Sequence, residues 1–283
     1  MAQVTLSGVA AYGYQATTTN SVDANGFGVD TSEFTMAASE DLGGGMKLGA
    51  SISLGALAAG DTPSGENFTM TVSGGFGTVL MGQIAIGSGI RGLAQAGAPV
   101  NNMETEILAA SGDFDIVKYT APKMGDFTFS ASHVETVGLA TGMSSDQSQS
   151  KTVGVDYASG AIAAKLDRTT WKNSTIDSRY RVAASYDLGV VKVGAGREDQ
   201  TLVSTLHTKY TMFGVSAPLS SSLTVGAVSV KKDVAGVTLS GTSMGASYAL
   251  SKRTSVTANQ ASWEVTGQTA KDKKTTILLA HSF

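Results

Sequence analysis

The chain has 283 residues, with 34 Gly, 4 Pro, no Cys and a net charge of −3; charged residues make up only 15% of it, against about 25% in ordinary soluble domains. The missing Cys excludes disulfide scaffolds and thiolate metal sites, and the slightly acidic balance excludes the basic footprint of a nucleic-acid binder. Although 42% of the residues are hydrophobic, no stretch approaches the roughly 20 apolar residues that a membrane-spanning helix needs.

A transmembrane β-barrel reconciles low charge with short apolar runs, because lipid-facing and lumen-facing residues alternate along each strand. Met1, Ala2 and Gln3 lead directly into a strand pattern, so Met1 is read as a start before a mature chain whose signal was removed. From Val4 the alternation puts Leu6, Gly8, Ala10, Tyr12 and Tyr14 on one face and Thr5, Ser7 and Gly13 on the other, the period-two signature of a strand. The pattern recurs at Phe34, Met36 and Ala38, at Leu48, Ala50, Ile52 and Leu54, and at Phe68, Met70 and Val72. A polar loop at 16–30, a tight turn at 41–45 and a loop at 56–66 separate these strands, and such alternation of long and short connections belongs to up-and-down barrels.

Further along, Val117 and Tyr119 lead through a turn at 122–126 to Phe127, Phe129 and Ala131. After a polar loop come Val153, Val155 and Tyr157, a turn at Ser159-Gly160, and Ile162, Ala164 and Leu166. Tyr180 to Tyr186 and Val191 to Ala195 flank a turn at 187–189, and three more groups occupy about 207–230, 241–263 and 275–283. The expected fold is all-β: one antiparallel up-and-down barrel of about 16 strands across residues 1–283, since strands of about ten residues suffice to cross a membrane. Tyr157, Tyr186, Tyr248 and Phe283 fall beside the short turns, where amphipathic rings settle at a membrane interface. Gly8, Ala10, Ala38 and Ala50 are small for an outward face and mark a wall packed against another barrel.

One break is far longer than the others. Residues 85–115 read AIGSGIRGLAQAGAPVNNMETEILAASGDFD, and loops of such length are usually functional or disordered. The expectation is that this loop folds into the tube and narrows it. Its Gly87-Ser88-Gly89-Ile90-Arg91-Gly92 matches G-x-G-x-x-G, but the following helix and the second parallel strand of a dinucleotide site are missing. The glycines are better suited to a sharp bend. His133, His207 and His281 lack metal-ligand spacing, and no nucleophile–base pattern points to an enzyme.

Several stretches resemble the general porins of proteobacterial outer membranes, especially the β-proteobacterial type. Ser39-Glu40-Asp41-Leu42-Gly43-Gly44-Gly45-Met46-Lys47 resembles the family's S-E-D-L-G-G-G-L-K turn, and Gly74-Gly75-Phe76-Gly77-Thr78-Val79 its G-G-F-G-T-V turn. Val117-Lys118-Tyr119-Thr120-Ala121-Pro122 is similar to V-R-Y-D-S-P, Tyr248-Ala249-Leu250-Ser251-Lys252-Arg253-Thr254 to Y-x-L-S-K-R-T, and the end His281-Ser282-Phe283 to a terminal H-x-F. The resemblance implies a sixteen-stranded homotrimeric barrel in outer-membrane lipid and lipopolysaccharide that passes ions and small hydrophilic solutes by passive diffusion. It also implies that the third extracellular loop forms the eyelet, its acids facing arginines on the wall. Two of the family's wall arginines are replaced here by Glu33 and Ala37, a third by Gln83, and the loop's P-E-F-G element is not recognisable.

Strand parity places Lys118, Lys165, Arg179, Arg181 and Lys192 on the lumen face with Asp156 and Asp167, where charge meets water rather than lipid. Glu104, Glu106, Asp113 and Asp115 are the expected constriction acids. Rings of acids favour cations, so four loop carboxylates against three missing arginines predict weak cation selectivity. A substrate-specific channel with a solute site at the constriction is the alternative. No cofactor is expected, although clustered loop carboxylates are where calcium would bind.

Overall fold

The alternation along the sequence closes into a tube. A computed structural model describes residues 3–101, 103–108, 112–135, 148–268 and 270–283. Met1 and most of the polar connection preceding Val153, residues 136–147, lie outside these. The strands are β1 (Gln3–Thr19), β2 (Val22–Gly43), β3 (Met46–Gly55), β4 (Ser64–Gly74), β5 (Gly77–Ile86), β6 (Gly112–Thr120), β7 (Phe127–Glu135) and β8 (Gln149–Ser159). There follow β9 (Ile162–Lys172), β10 (Ile176–Asp187), β11 (Lys192–Leu202), β12 (His207–Pro218), β13 (Leu223–Val234), β14 (Val237–Ala249), β15 (Thr254–Val265) and β16 (Asp272–Ser282). Each pairs antiparallel with its sequence neighbours, and β1 pairs with β16 to close the barrel. Closure removes both sheet edges, so each strand is paired on both sides within the wall, as hydrocarbon requires; residues 22–33 of β2 pair with β1 alone.

The two faces differ as the period-two pattern demands. Outward side chains such as Leu6, Val153 and Leu166 are more than half exposed, an apolar surface suited to lipid. Inward side chains are joined by hydroxyl contacts across strands: Thr35 to Ser53 and Ser51 to Thr69, each at 2.7 Å, and Thr152 to Thr169 at 2.8 Å. At the end with the short turns, Gly43, Gly44 and Gly45 all adopt positive φ (79°, 60° and 78°), a conformation that glycine takes without steric cost. Aromatic rings gather at the same end. Phe127 and Tyr157 stack with centroids 5.0 Å apart, and the Tyr119 hydroxyl donates to the Phe76 carbonyl at 2.7 Å.

The expected polar loop at 16–30 is instead a continuous hairpin of β1 and β2, turning at Asn20 and Ser21. These strands run to 17 and 22 residues, about twice what a membrane crossing needs. Their ends can therefore be polar and still stay paired, which is why composition suggested a loop. A bulge in β2 opposite Ala11 and Tyr12 shifts the register by one residue. Phe27 and Val29 before it and Phe34 and Met36 after it consequently share the outer face despite their opposite parity.

Candidate pore constriction

Between β5 and β6 the chain leaves the wall, forms the short helix α1 (Arg91–Ala94), and continues inside the barrel. Its described part carries an apolar stripe: Ile90, Ala94 and Met103 are fully buried, and Ala98 and Ile107 nearly so. These pack on the inward side chains Tyr210 and Met212 of β12 and Val228 and Val230 of β13. A loop within a water-filled tube stays against the wall only if it buries apolar surface there, at about 1.5–3 kcal/mol for each large side chain fully buried.

The wall is cleared to receive it. On the lumen face of β11 to β14, Gly194, Gly214, Gly226 and Gly245 lie beneath the loop backbone at Leu93, Ala94, Ala98 and Pro99. Any side chain at these four positions would overlap the loop. Gly241 makes room for the side chains of Met103 and Ile107 in the same way. Ser216 adds a hydrogen bond from its hydroxyl to the Ala96 carbonyl at 2.6 Å. Sequence inspection missed this track, although its signal is visible as glycines at lumen-facing positions on four successive strands.

The four candidate loop acids do not come together. Glu104 is held by Arg91 within the loop, and its side chain is 16% exposed. Glu106 is 8% exposed, sits 3.6 Å from the Lys274 ammonium on β16, and accepts a hydrogen bond from the Asn101 amide at 3.2 Å. Asp113 and Asp115 are not loop residues at all: β6 begins at Gly112, and both aspartates take the outward face shared with Val117 and Tyr119. The strand starts earlier than expected because Ala85 and Gln83 of β5 pair with them. With the acids dispersed, the premise of a calcium cluster is not met, and among the described residues no group of three or more His, Cys, Asp or Glu is placed to hold a metal.

Wall positions divide similarly. Gln83 is exposed on the outer face with Met81, opposite Phe68 and Asp115, so it is not a lumen residue. Glu33 shares the inward face of β2 with Thr35, and Lys192 that of β11 with Gly194 at the short-turn end. Lys118, Lys165, Arg179 and Arg181 line one cavity of about 480 Å³, bounded on the loop side by Gly87 and Ser88.

Within that cavity the charges are unequally answered. The Arg181 Nε donates to Asp167 Oδ1 at 2.8 Å, and its Nη1 lies 4.0 Å from Glu198 Oε2, both carboxylates being 2% exposed. Gln200 Nε2 donates to Glu198 Oε1 at 2.7 Å. The loop passes over this network at Gly89, where any side chain would overlap the Arg181 guanidinium. Lys165 stands 3.8 Å from Asp156. Arg179 forms no ion pair among the described residues; its guanidinium stacks 5.0 Å from the Trp171 ring centroid and donates to Thr169 Oγ1 at 3.3 Å. Four basic side chains and two carboxylates, Asp167 and Glu198, line the cavity.

A closed sixteen-stranded barrel, apolar outside and polar inside, with a loop fixed across its lumen, is a transmembrane pore. The family model described as Gram-negative porin matches residues 1–268, and the chain belongs to that family. It is thus a non-enzymatic channel of the outer membrane. Among solved structures, an anion-selective porin from Comamonas acidovorans superposes with a TM-score of 0.76 at 19% identity, covering 100% of both chains. The trimer form of OmpT, an outer membrane protein of Vibrio cholerae, gives 0.73 at 13% identity over 100% of this chain and 99% of that one. A porin refined at 1.8 Å gives 0.71 at 21% identity over 99% and 100%. At these identities the likeness is one of fold. No curated protein matches the chain.

Proposed function

We propose that this barrel is a general diffusion pore for ions and small hydrophilic solutes whose narrow zone favours anions weakly over cations. The observation that carries the proposal is the cavity beside the loop, where four basic side chains meet two carboxylates and Arg179 forms no ion pair among the described residues. The expected weak cation preference depended on four loop acids facing the lumen. Two of them are ion-paired and two point outward, so that support is gone. Basic rings favour anions, but Asp156, Asp167 and Glu198 keep the field modest.

A homotrimer in outer-membrane lipid and lipopolysaccharide is part of the same proposal. Its support is the outward placement of the small residues Ala10 on β1 and Ala38 on β2, the latter level with Ala50 on β3; Gly8 beside them is covered by the ring of Phe283. The test is planar-bilayer recording of the purified protein under a KCl gradient. Conductance steps in triplets with a mildly anion-selective reversal potential are expected. A cation-selective potential would overturn the selectivity, and failure of heat-modifiable, folded protein to conduct would overturn the pore.

A further inference from the structure

The lumen of a diffusion pore meets water, and on β2 to β4 its lining is hydroxylic, as at Thr35, Ser51, Ser53 and Thr69. The wall from β5 to β10 differs. Ile84 and Ile86 on β5, Phe114 on β6, Trp171 on β9 and Ile176 on β10 all line the loop-side cavity, in the half of the barrel away from the short turns. Ile84 and Phe114 are direct cross-strand partners, so the patch is continuous there. Nothing in simple ion conduction calls for apolar side chains at the edge of a cationic narrow zone.

We propose that this cavity is a binding site for small organic anions with a flat apolar body, aromatic monocarboxylates being the fitting class. The inference deepens the anion-leaning reading above and rests on it. Arg179 supplies the polar end. Its stacking on Trp171 places the guanidinium at the border of the apolar patch, and its Nη2 contact with Thr169 is long at 3.3 Å. Unfilled guanidinium donors suit a carboxylate, which they can hold through paired charge-assisted hydrogen bonds. Asp167 is engaged by Arg181 and Glu198 Oε1 by Gln200, whereas Glu198 Oε2 is buried 4.0 Å from Arg181 Nη1 without a hydrogen bond; Lys118 adds a second cation. The isoleucines, Phe114 and Trp171 would cover an aromatic body, whose removal from water favours binding in proportion to its apolar area. At about 480 Å³ the cavity is within the usual range for small-molecule sites.

The experiment uses the full-length barrel in planar bilayers in KCl, with sodium benzoate added as the probe. Sodium acetate controls for charge alone and benzyl alcohol for the apolar body alone. Saturable block of the chloride current by benzoate is expected, at a concentration at least tenfold below any block by acetate, with none from benzyl alcohol. Arg179→Gln should raise the half-blocking concentration about tenfold, the scale of a lost charge-assisted hydrogen bond. Phe114→Ser should raise it several-fold, and Ile86→Ser provides the same test if the first variant does not fold. Benzoate and acetate blocking alike, with the KCl anion preference intact, would overturn the binding site and leave the diffusion pore standing. A cation-selective KCl reversal potential would instead strike the reading beneath it.

Discussion

Replacing Arg179 by Gln should cut the anion-to-cation permeability ratio about fivefold. A cavity of about 480 Å³ has a half-width of about 5 Å, so a unit charge on its wall shifts the energy of a passing ion by about 0.8 kcal/mol in water. An anion loses that attraction and a cation loses the matching repulsion, so the ratio feels about 1.7 kcal/mol. Screening over about half a Debye length at 0.1 M salt reduces this to about 1 kcal/mol, which is the fivefold change. Arg179 is suited to the test because it forms no ion pair among the described residues, so its loss breaks no salt bridge there. Asp113→Asn combined with Asp115→Asn is the counterpart, since both aspartates lie on the outer face of β6. Reversal potentials under a KCl gradient read both variants. The reasoning is refuted if Arg179→Gln leaves the potential in place, or if the double Asp variant moves it as far.

Other consequences bear on the loop and the wall. Lys274→Met leaves Glu106 without its cation in a site where the carboxylate is 8% exposed; because the lysine itself is a quarter exposed to lumen water, the loss should be about 1–2 kcal/mol rather than the value for a fully buried pair. It should lower the temperature at which the folded band disappears in a heat-modifiability gel, and adding Glu106→Gln should restore most of it. Gly214→Val with Gly226→Val overpacks the loop's bed, at about 1–3 kcal/mol per site; limited proteolysis should then cut within 87–108 while the circular dichroism of the barrel stays unchanged, and a loop as protected as in the parent would contradict the fit. Leu166→Arg, on the outward face, should destabilise the barrel in lipid vesicles by about 2–4 kcal/mol if the site lies near the midplane. A lysine at inward-facing Ser132 should cost far less, and equal losses in urea titrations would contradict the assigned faces.

Much of this architecture is local and therefore legible in the chain. A strand's faces alternate with a fixed period of two, so Val153, Val155 and Tyr157 declare an outward row and Lys165 and Asp167 an inward one before any pairing is known. Short turns announce themselves through residues such as Gly43, Gly44 and Gly45, and the excess length of the 85–115 stretch marks the loop. Gln83 alternates in step with Met81, so the chain's own periodicity sets it outward, against the family's wall pattern. What a carboxylate faces, by contrast, depends on partners far away in sequence. Asp113 and Asp115 became strand residues because β5 offered Ala85 and Gln83 as neighbours, and Glu106 found its cation on β16. The bulge that reverses parity in β2 exists only in register with β1. Likewise the glycines of β11 to β14 acquire meaning only when the loop lies on them. Alternation along a strand determined that there would be a pore, and long-range packing decided which charges line it.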